Sequence, residues 1–451
     1  MNEINLFESH EKFVKGMEIF MGDHDYSIGT TPSEVIYTED KMTLIHYIPT
    51  VKEPLKVPVL VTYALVNRYY ILDLQSDKSV IKKLLDEGFD VYVIDWGYPS
   101  GSDRYLTLDD YVDGYMNSAV DEIRKLTGLD KITLMGVCQG GTFSIMYSAL
   151  HPEKVQNLVT LVTPVDFDTD EGMLHIWAKS LDVDKIVDYY GIVPGEFLNM
   201  GFLFLDPFRL MLDKYVGMFD RIECDPDDET SQLRNEEYIK NFIRMEKWIF
   251  DSPDQAGEAF RQFIRDFYQK NLLIKNQMSI NGKKINLKNI TMPLLNVMAE
   301  HDHLVPTEAS KPLTDAVSST DKDTLVFPTG HIGIFVGSKS QKQVCPSIAD
   351  WLRPRSVPDE KEKPKPKGTT KKATSKIAKT KAKTSKTRTD SSSVELENIP
   401  VVTTAKPVET TKSVVTAKHV EIAKPVEKAS KTKGTTNKPE EMTRKPEEKT
   451  T

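Results

Sequence analysis

Six short runs of mostly apolar, β-branched residues punctuate the chain: Val57–Tyr63, Asp90–Asp95, Ile132–Val137, Leu158–Val162, Leu294–Met298 and Thr324–Phe327. Each is bounded by turn residues and too short for a helix. Apolar residues occupy both parities, as in a strand covered on both faces. Helical stretches separate the runs, so the pattern predicts an α/β fold with a mostly parallel sheet flanked by helices. Two further runs, Glu34–Tyr37 and Lys41–Tyr47, alternate in polarity and predict an opening hairpin. Residues 1–30 read as a polar helical lead-in. Thr107 and Asp110 resemble a capping box. Leu108, Tyr111, Val112, Tyr115, Met116, Ala119 and Ile123 then recur at helical spacing, predicting a helix that ends near Gly128.

The alternation breaks once. From about 165 to 290 the chain is rich in aromatics and Met and reads mostly as helices, including Met173, Trp177, Tyr189, Phe197, Phe202, Phe204, Phe208, Met211, Tyr215 and Phe219. An insertion here is expected to form a cap over the carboxyl ends of the strands, where such folds place their sites. The plainest account of those ten side chains is core packing. After residue 355 the large apolar residues nearly vanish. The stretch 356–451 carries 23 Lys and Arg against 13 Asp and Glu, while the body carries 36 against 54. A basic tail that cannot bury enough surface to offset chain entropy is expected to be disordered. It repeats AKPVE at 405–409 and 423–427 and AKHVE at 417–421. A polyanion or a granule surface is a partner such a tail suits; a solvated tail without a partner is the alternative. The acidic body argues against a nucleic-acid-binding fold and leaves room for a small anionic substrate.

The three cysteines, Cys138, Cys224 and Cys345, are too far apart for a zinc pattern and odd in number, which suits a reducing, cytoplasmic setting. The first residues lack a signal-peptide pattern. The longest apolar stretch, Val57–Val66, is ten residues with a proline inside, against roughly 20 needed to span a bilayer. No transmembrane segment is expected.

The chemistry concentrates at Gly136-Val-Cys138-Gln-Gly140-Gly141, directly after the Ile132 strand. This is a nucleophile elbow with Cys in place of Ser. The nucleophile of such a turn sits in strained backbone, and the residues two before and two after it are expected to crowd each other, hence Gly136 and Gly140. Gly141 lets the next helix approach the sheet. That helix, about 140–150, points its N-terminus at the sulfur and favours thiolate. The Gln139 backbone N–H is placed to meet a developing oxyanion. A structural cysteine in a Gly-rich turn is the bland alternative. Two later loops weigh against it. Glu300-His-Asp302-His303-Leu-Val-Pro306 follows a late strand and supplies an acid; Pro328-Thr-Gly330-His331-Ile-Gly333 follows the last strand and supplies a base. The order nucleophile, Asp, His is that of the α/β-hydrolase fold. The expected triad is Cys138, Asp302 and His331. His301 and His303 flank the acid and are expected to shape its loop. His24, His46, His151 and His175 have no motif and read as surface or core. Cys224 and Cys345 read as bystanders. The second oxyanion donor is expected in the loop after Val57–Tyr63, with the Val66 N–H as candidate and Leu65 or Asn67 as alternatives. Arg68 in the same loop suits either an anionic group or a surface carboxylate. No metal ligands are expected.

Sulfur in place of oxygen constrains the reaction. A Cys nucleophile exchanges one thioester for another at nearly balanced free energy, so the acyl group stays activated for a second acceptor. With a hydroxyl acceptor the product is an ester and the sequence runs downhill. His331 would deprotonate Cys138 and Asp302 would orient His331, and a water-excluding lid would favour alcoholysis over hydrolysis.

The elbow G-V-C-Q-G-G, the stretch N-R-Y-Y-I-L-D-L from Asn67, D-W-G-Y-P at 95–99, D-H-L-V-P at 302–306 and G-H-I-G at 330–333 together resemble the polyhydroxyalkanoate synthases over most of residues 1–355. The resemblance is nearest to the short catalytic subunit of the two-component types, class III rather than class IV. It implies a catalytic domain over 1–355 that joins (R)-3-hydroxyacyl groups, such as 3-hydroxybutyryl, from CoA thioesters into polyester and releases CoA. It implies no cofactor beyond the CoA of the substrate. It further implies a non-catalytic partner subunit, a homodimer and a place on cytoplasmic polyester granules. Carried over by position, Cys138 holds the growing chain, His331 is the base and Asp302 its partner. The basic tail departs from the family pattern. A thiol esterase of the dienelactone hydrolase kind, which has a similar elbow but no long insertion, and a granule scaffold with a vestigial triad are the competing readings.

Overall fold

The structure is a computed structural model describing residues 6–22, 26–224, 228 and 230–358. Eight strands form its main sheet: β1 (Ser33–Glu39), β2 (Met42–Tyr47), β3 (Val59–Thr62), β4 (Val91–Asp95), β5 (Ile132–Val137), β6 (Val155–Leu161), β7 (Leu294–Ala299) and β8 (Lys322–Phe327). Their spatial order is β1-β2-β4-β3-β5-β6-β7-β8. β1 and β2 form the predicted hairpin, and β2 also runs antiparallel to β4. Every remaining neighbour pair is parallel. All eight predicted runs are strands, and the fold class is the one expected. β3 and β5 lie side by side, with Thr62 opposite Gly136. The chain leaves β3 toward one edge and β5 toward the other, which opens a crevice at their carboxyl ends.

The helices are α1 (Leu6–Phe20), α2 (Val80–Asp86), α3 (Met116–Thr127), α4 (Gln139–Leu150), α5 (Met173–Ser180), α6 (Val183–Tyr190), α7 (Gly195–Leu203), α8 (Lys214–Asp220), α9 (Ser231–Phe250), α10 (Gly257–Gln262) and α11 (Cys345–Leu352), besides shorter turns. Successive side chains of a strand point to opposite faces, and this explains why the runs are apolar at both parities. Leu60, Leu134 and Leu158 pack with Met116, Ile123 and Phe143 of α3 and α4. Val59, Val61, Met135 and Val159 pack with Ile81 and Leu84 of α2 and Ile348 and Leu352 of α11 on the other face. At the predicted helix of residues 107–128, Thr107 donates its N–H and its hydroxyl to Asp110 Oδ2, both at 2.7 Å. The segment begins as a π-helical turn, Asp110–Tyr115, and α3 stops at Gly128, whose φ of 73° only glycine adopts freely.

The stretch between β6 and β7 carries α5 to α10, and here one expectation fails. Met173, Trp177, Tyr189, Phe197, Phe204, Phe208, Met211 and Tyr215 are exposed, and Phe202 and Phe219 are only half-buried. None belongs to the core. Most helices of the insert are short; α8 packs against α1 through Phe219 and Phe13, while the exposed side chains face outward. No helix among the described residues is long and apolar enough to cross a membrane. The tail from residue 359 on, with its expected disorder and its repeats, lies outside the described residues, as does His24.

The two-faced sheet makes a graded prediction. Leu134→Ala, in a fully buried site of β5, should cost about 2–5 kcal/mol. Val35→Ala, 60% exposed on edge strand β1, should cost less than about 0.5 kcal/mol. Urea unfolding midpoints of the two variants check the difference.

Candidate active site

β5 passes directly into Cys138, and α4 begins at the next residue. Cys138 has φ 53° and ψ −126°, a conformation that costs an L-residue about 1–3 kcal/mol. Hydrogen bonds fix it from both sides. Cys138 N–H donates to Leu161 O at 2.9 Å, and Cys138 O accepts from Gly141 N at 2.9 Å and Thr142 N at 3.2 Å. The glycines are needed, but not for the expected pairwise crowding. A Cβ on Gly136 would stand 2.4 Å from Gly141 Cα, three residues past the nucleophile. A Cβ on Gly140 would meet Thr62 O of β3 at 2.2 Å, and one on Gly141 would meet Thr163 Oγ1 at 1.9 Å. α4 is thus pressed against β3 and against the turn after β6. That turn is itself strained: Val162 has φ 43° and is tied to β7 through its N–H to Val297 O, 2.8 Å.

Asp302 lies in the loop after β7. Its Oδ1 accepts from Leu304 N at 2.9 Å and Val305 N at 2.8 Å, and its Oδ2 from His331 Nδ1 at 2.7 Å. Both groups are buried. Nδ1–H donation to Asp302 leaves Nε2 for the sulfur, and a hydrogen-bonding interaction between His331 and Cys138 contributes to the imidazole's affinity for a proton. Burial alone pulls the His331 pKa down. The charges of Asp302 and of a Cys138 thiolate outweigh it and bring the pKa up to about 10. The geometry therefore suits a protonated His331 held between Asp302 and Cys138. His301 and His303 are exposed on either side of Asp302.

The Gln139 N–H, first in α4, has no carbonyl to bond within its own helix. Of the loop after β3, Leu65 N is occupied: it donates to Gln139 Oε1 at 2.9 Å. Asn67 turns outward at φ 58°, and its side chain donates to Ile249 O at 3.1 Å and to Ser252 Oγ at 2.7 Å. No acceptor is recorded for the half-buried Val66 N–H among the described residues. Of the two alternatives for Arg68, the structure shows a carboxylate partner, half-buried rather than on the surface. Arg68 itself is buried, donates to Asp95 Oδ2 at 2.8 Å and lies 4.3 Å from the Tyr98 ring centre.

Two buried tyrosines that sequence reading passed over stand within electrostatic reach of the sulfur. Burial first, and then the charge of Cys138, push the phenols of Tyr63 and Tyr268 upward. Tyr268 belongs to a π-helical turn, Phe263–Gln269, in the insert, a local widening that re-aims side chains. Aromatic contacts continue from Phe143 of α4 to Phe263, Phe167, Tyr268 and His175, with centroids 5.0–6.3 Å apart. This aromatic cluster links α4 to the insert beside the half-buried Cys138. Among the described residues no cluster of His, Cys, Asp and Glu could hold a metal ion.

The chain matches the family model described as alpha/beta hydrolase fold over residues 58–338, and the model of the poly-beta-hydroxybutyrate polymerase (PhaC) N-terminus over residues 11–84. It is 50% identical over 352 residues to the poly(3-hydroxyalkanoate) polymerase subunit PhaC of Allochromatium vinosum, covering 78% of this chain and 96% of that one. The chain belongs to the poly(3-hydroxyalkanoate) polymerase family. Its likeness to the PhaC subunit of Thiocystis violacea is 50% over 346 residues, 76% of this chain and 94% of that one. To that of Synechocystis it is 47% over 365 residues, 78% and 94%.

In this PhaC-family chain the elbow and both loops had signals in the sequence, whereas Tyr63 and Tyr268 had none. Tyr63 ends an apolar run and Tyr268 sits among other aromatics, so only the fold distinguishes them. The raised pKa of His331 makes a test. Asp302→Asn removes one of the two charges that hold it up, so the pKa should fall from about 10 toward the ordinary 6.5. A histidine titration by NMR reads it directly. Because the folded pKa lies above the unfolded one, this pairing contributes stability below pH 6.5 and loses it as pH rises through about 10. Asp302→Asn should flatten that alkaline loss in a plot of melting temperature against pH.

Proposed function

We propose that the chain is a polymerase that transfers (R)-3-hydroxyacyl groups from CoA thioesters to a growing polyester through a covalent thioester on Cys138. The observation that carries the reading is a cysteine, not a serine, on the elbow, coupled to the buried His331–Asp302 pair. Family membership supports it. The Cys138 thiolate attacks the thioester carbonyl. The oxyanion that forms is held by the N–H groups of Gln139 and Val66. The C–S bond to CoA breaks, and the leaving sulfur takes the proton of the His331 imidazolium, so CoA departs as the thiol. His331, now neutral, accepts the proton of an incoming hydroxyl. The resulting alkoxide attacks the acyl-Cys138 carbonyl, and the sulfur leaves as thiolate beside a recharged imidazolium. Each cycle forms one ester and releases one CoA. No resident cofactor enters. Asp302 keeps Nδ1 occupied, so Nε2 alone exchanges the proton.

The aromatic cluster supports transfer to an alcohol over hydrolysis, since water would intercept the acyl-enzyme. The same reading carries the association with a non-catalytic subunit, a second copy and a cytoplasmic polyester granule. The exposed Phe204, Phe208 and Leu212 of the insert, 51%, 75% and 58% exposed, suit an apolar surface or partner.

Incubation of the purified chain with (R)-3-hydroxybutyryl-CoA, with and without a partner subunit, tests the proposal through free CoA and product size. Polymer with equimolar CoA is expected. Cys138→Ala should abolish CoA release, and Cys138→Ser should leave little polymerisation. Free 3-hydroxybutyrate at matching CoA would mean a hydrolase. Near-normal polymer from Cys138→Ala would overturn the mechanism.

A further inference from the structure

Helix α5 is built inside out. It shows Met173, Ile176 and Trp177 to solvent, 45%, 45% and 40% exposed, and turns His175 and Ala178 inward. His175 is fully buried, and neither ring nitrogen has a hydrogen-bond partner among the described residues. Its neighbours are aromatic rings, Tyr268 at 5.2 Å and Phe167 at 6.2 Å between centroids. A neutral imidazole offers one donor and one acceptor, and leaving both unmade away from water is unfavourable. A helix that hides a polar ring and displays three large apolar side chains is held against its own solvation preference.

The same helix has a hinge and room to move. Gly172, immediately before it, has φ 83°. A Cβ there would stand 3.2 Å from His303 O and 3.3 Å from Pro306 Cγ, so α5 starts directly on the loop that carries Asp302. At the other end Leu181 is extended. An open cleft lined by Gly172, Met173, Leu205, Arg209, Leu210 and His303 among others lies beside it. We propose that α5 is a two-state gate hinged at Gly172, closed over Tyr268 and the Cys138 site in the arrangement seen here and opened by release of His175 to water.

The charged and titratable groups facing His175 are Lys179 on α5, Asp302 on the acid loop, Asp166 after β6 and Tyr268 on the π-helical turn. Burial, assisted by Lys179, lowers the imidazole's pKa to about 4 against the opposing pull of the two carboxylates. The Tyr268 phenol is pushed upward and stays neutral. The closed state therefore rejects a proton that the open state accepts near pH 6.5. Closure is fully favoured above 6.5 and weakens as pH falls below it toward 4. Between pH 8.0 and 6.0 the open population should rise about fourfold.

Hydrogen exchange of the full chain, read by mass spectrometry and corrected for the intrinsic pH dependence of exchange, tests this without any activity measurement. Its failure therefore leaves the reaction proposal standing, and the reverse. Exchange in residues 173–180 should be about fourfold faster at pH 6.0 than at 8.0, while residues 80–86 of α2 stay unchanged. His175→Phe, which replaces the unpaired ring with an apolar one, should slow exchange in α5 and abolish its pH response. Gly172→Ala, strained at a positive φ, should speed it at both pH values and keep the response. No pH response in the unaltered chain, the same response in His175→Phe, or exchange in α5 as slow as in α2 would each overturn the gate. If His175→Phe does not fold, the unaltered chain and Gly172→Ala still decide.

Discussion

The backbone of Cys138 is held in a conformation that no L-residue adopts for its own sake, and the surroundings of the candidate site are arranged to keep it there. Leu161 of β6 takes its N–H, the first turn of α4 takes its carbonyl, and three glycines remove the side chains that would push the turn apart. The consequence is spatial. Gly140 brings α4 against β3, so the loop after β3 reaches Gln139, and Leu65 N–H closes on its side chain. Gly141 brings α4 against Thr163, whose carbonyl is tied by Ser310 Oγ at 2.5 Å to the helical turn following the Asp302 loop. One strained residue thus links the supports of nucleophile, oxyanion loop and acid.

Electrostatics supply a second constraint. A fully buried imidazole is ordinarily the weaker base, as His175 is. His331 is as buried and behaves in the opposite way, because Asp302 and the sulfur add charge where His175 has only distant carboxylates. Two buried histidines are driven in opposite directions by what stands next to their nitrogens. Both oxygens of Asp302 are occupied, by donors within its own loop and by His331.

Much of this was legible in the sequence because it rests on local rules. Strands buried on both faces leave apolar runs, a left-handed helix end demands Gly128, and an elbow demands its glycines. What was not legible depends on contacts between distant segments. Val66 is the candidate donor from the sequence alone, but the reason Leu65 N–H is occupied, the place of the Gln139 side chain, is encoded in no spacing. Arg68 finds a half-buried Asp95 because the loop after β3 folds back over the end of β4. Tyr268 is aimed by a π-helical turn whose residues look like ordinary helix. The aromatic residues of the insert misled for a related reason. Periodicity says which face is apolar, but not whether anything covers it.

That uncovered face changes how the insert is to be understood. Its helices present Phe208, Leu212 and Trp177 outward while an unpaired imidazole is enclosed beneath α5. An exposed large apolar side chain and a buried ring without a hydrogen bond are each unfavourable to the folded state. The sheet beneath shows the opposite: its facing positions are apolar and closely packed on both sides. The contrast places the unfavourable exposure in the insert and leaves the Cys138 elbow and the Asp302 loop on the packed sheet. The strained Cys138 turn, fixed by glycines and backbone hydrogen bonds, thus contrasts with an insert whose large apolar side chains stand exposed.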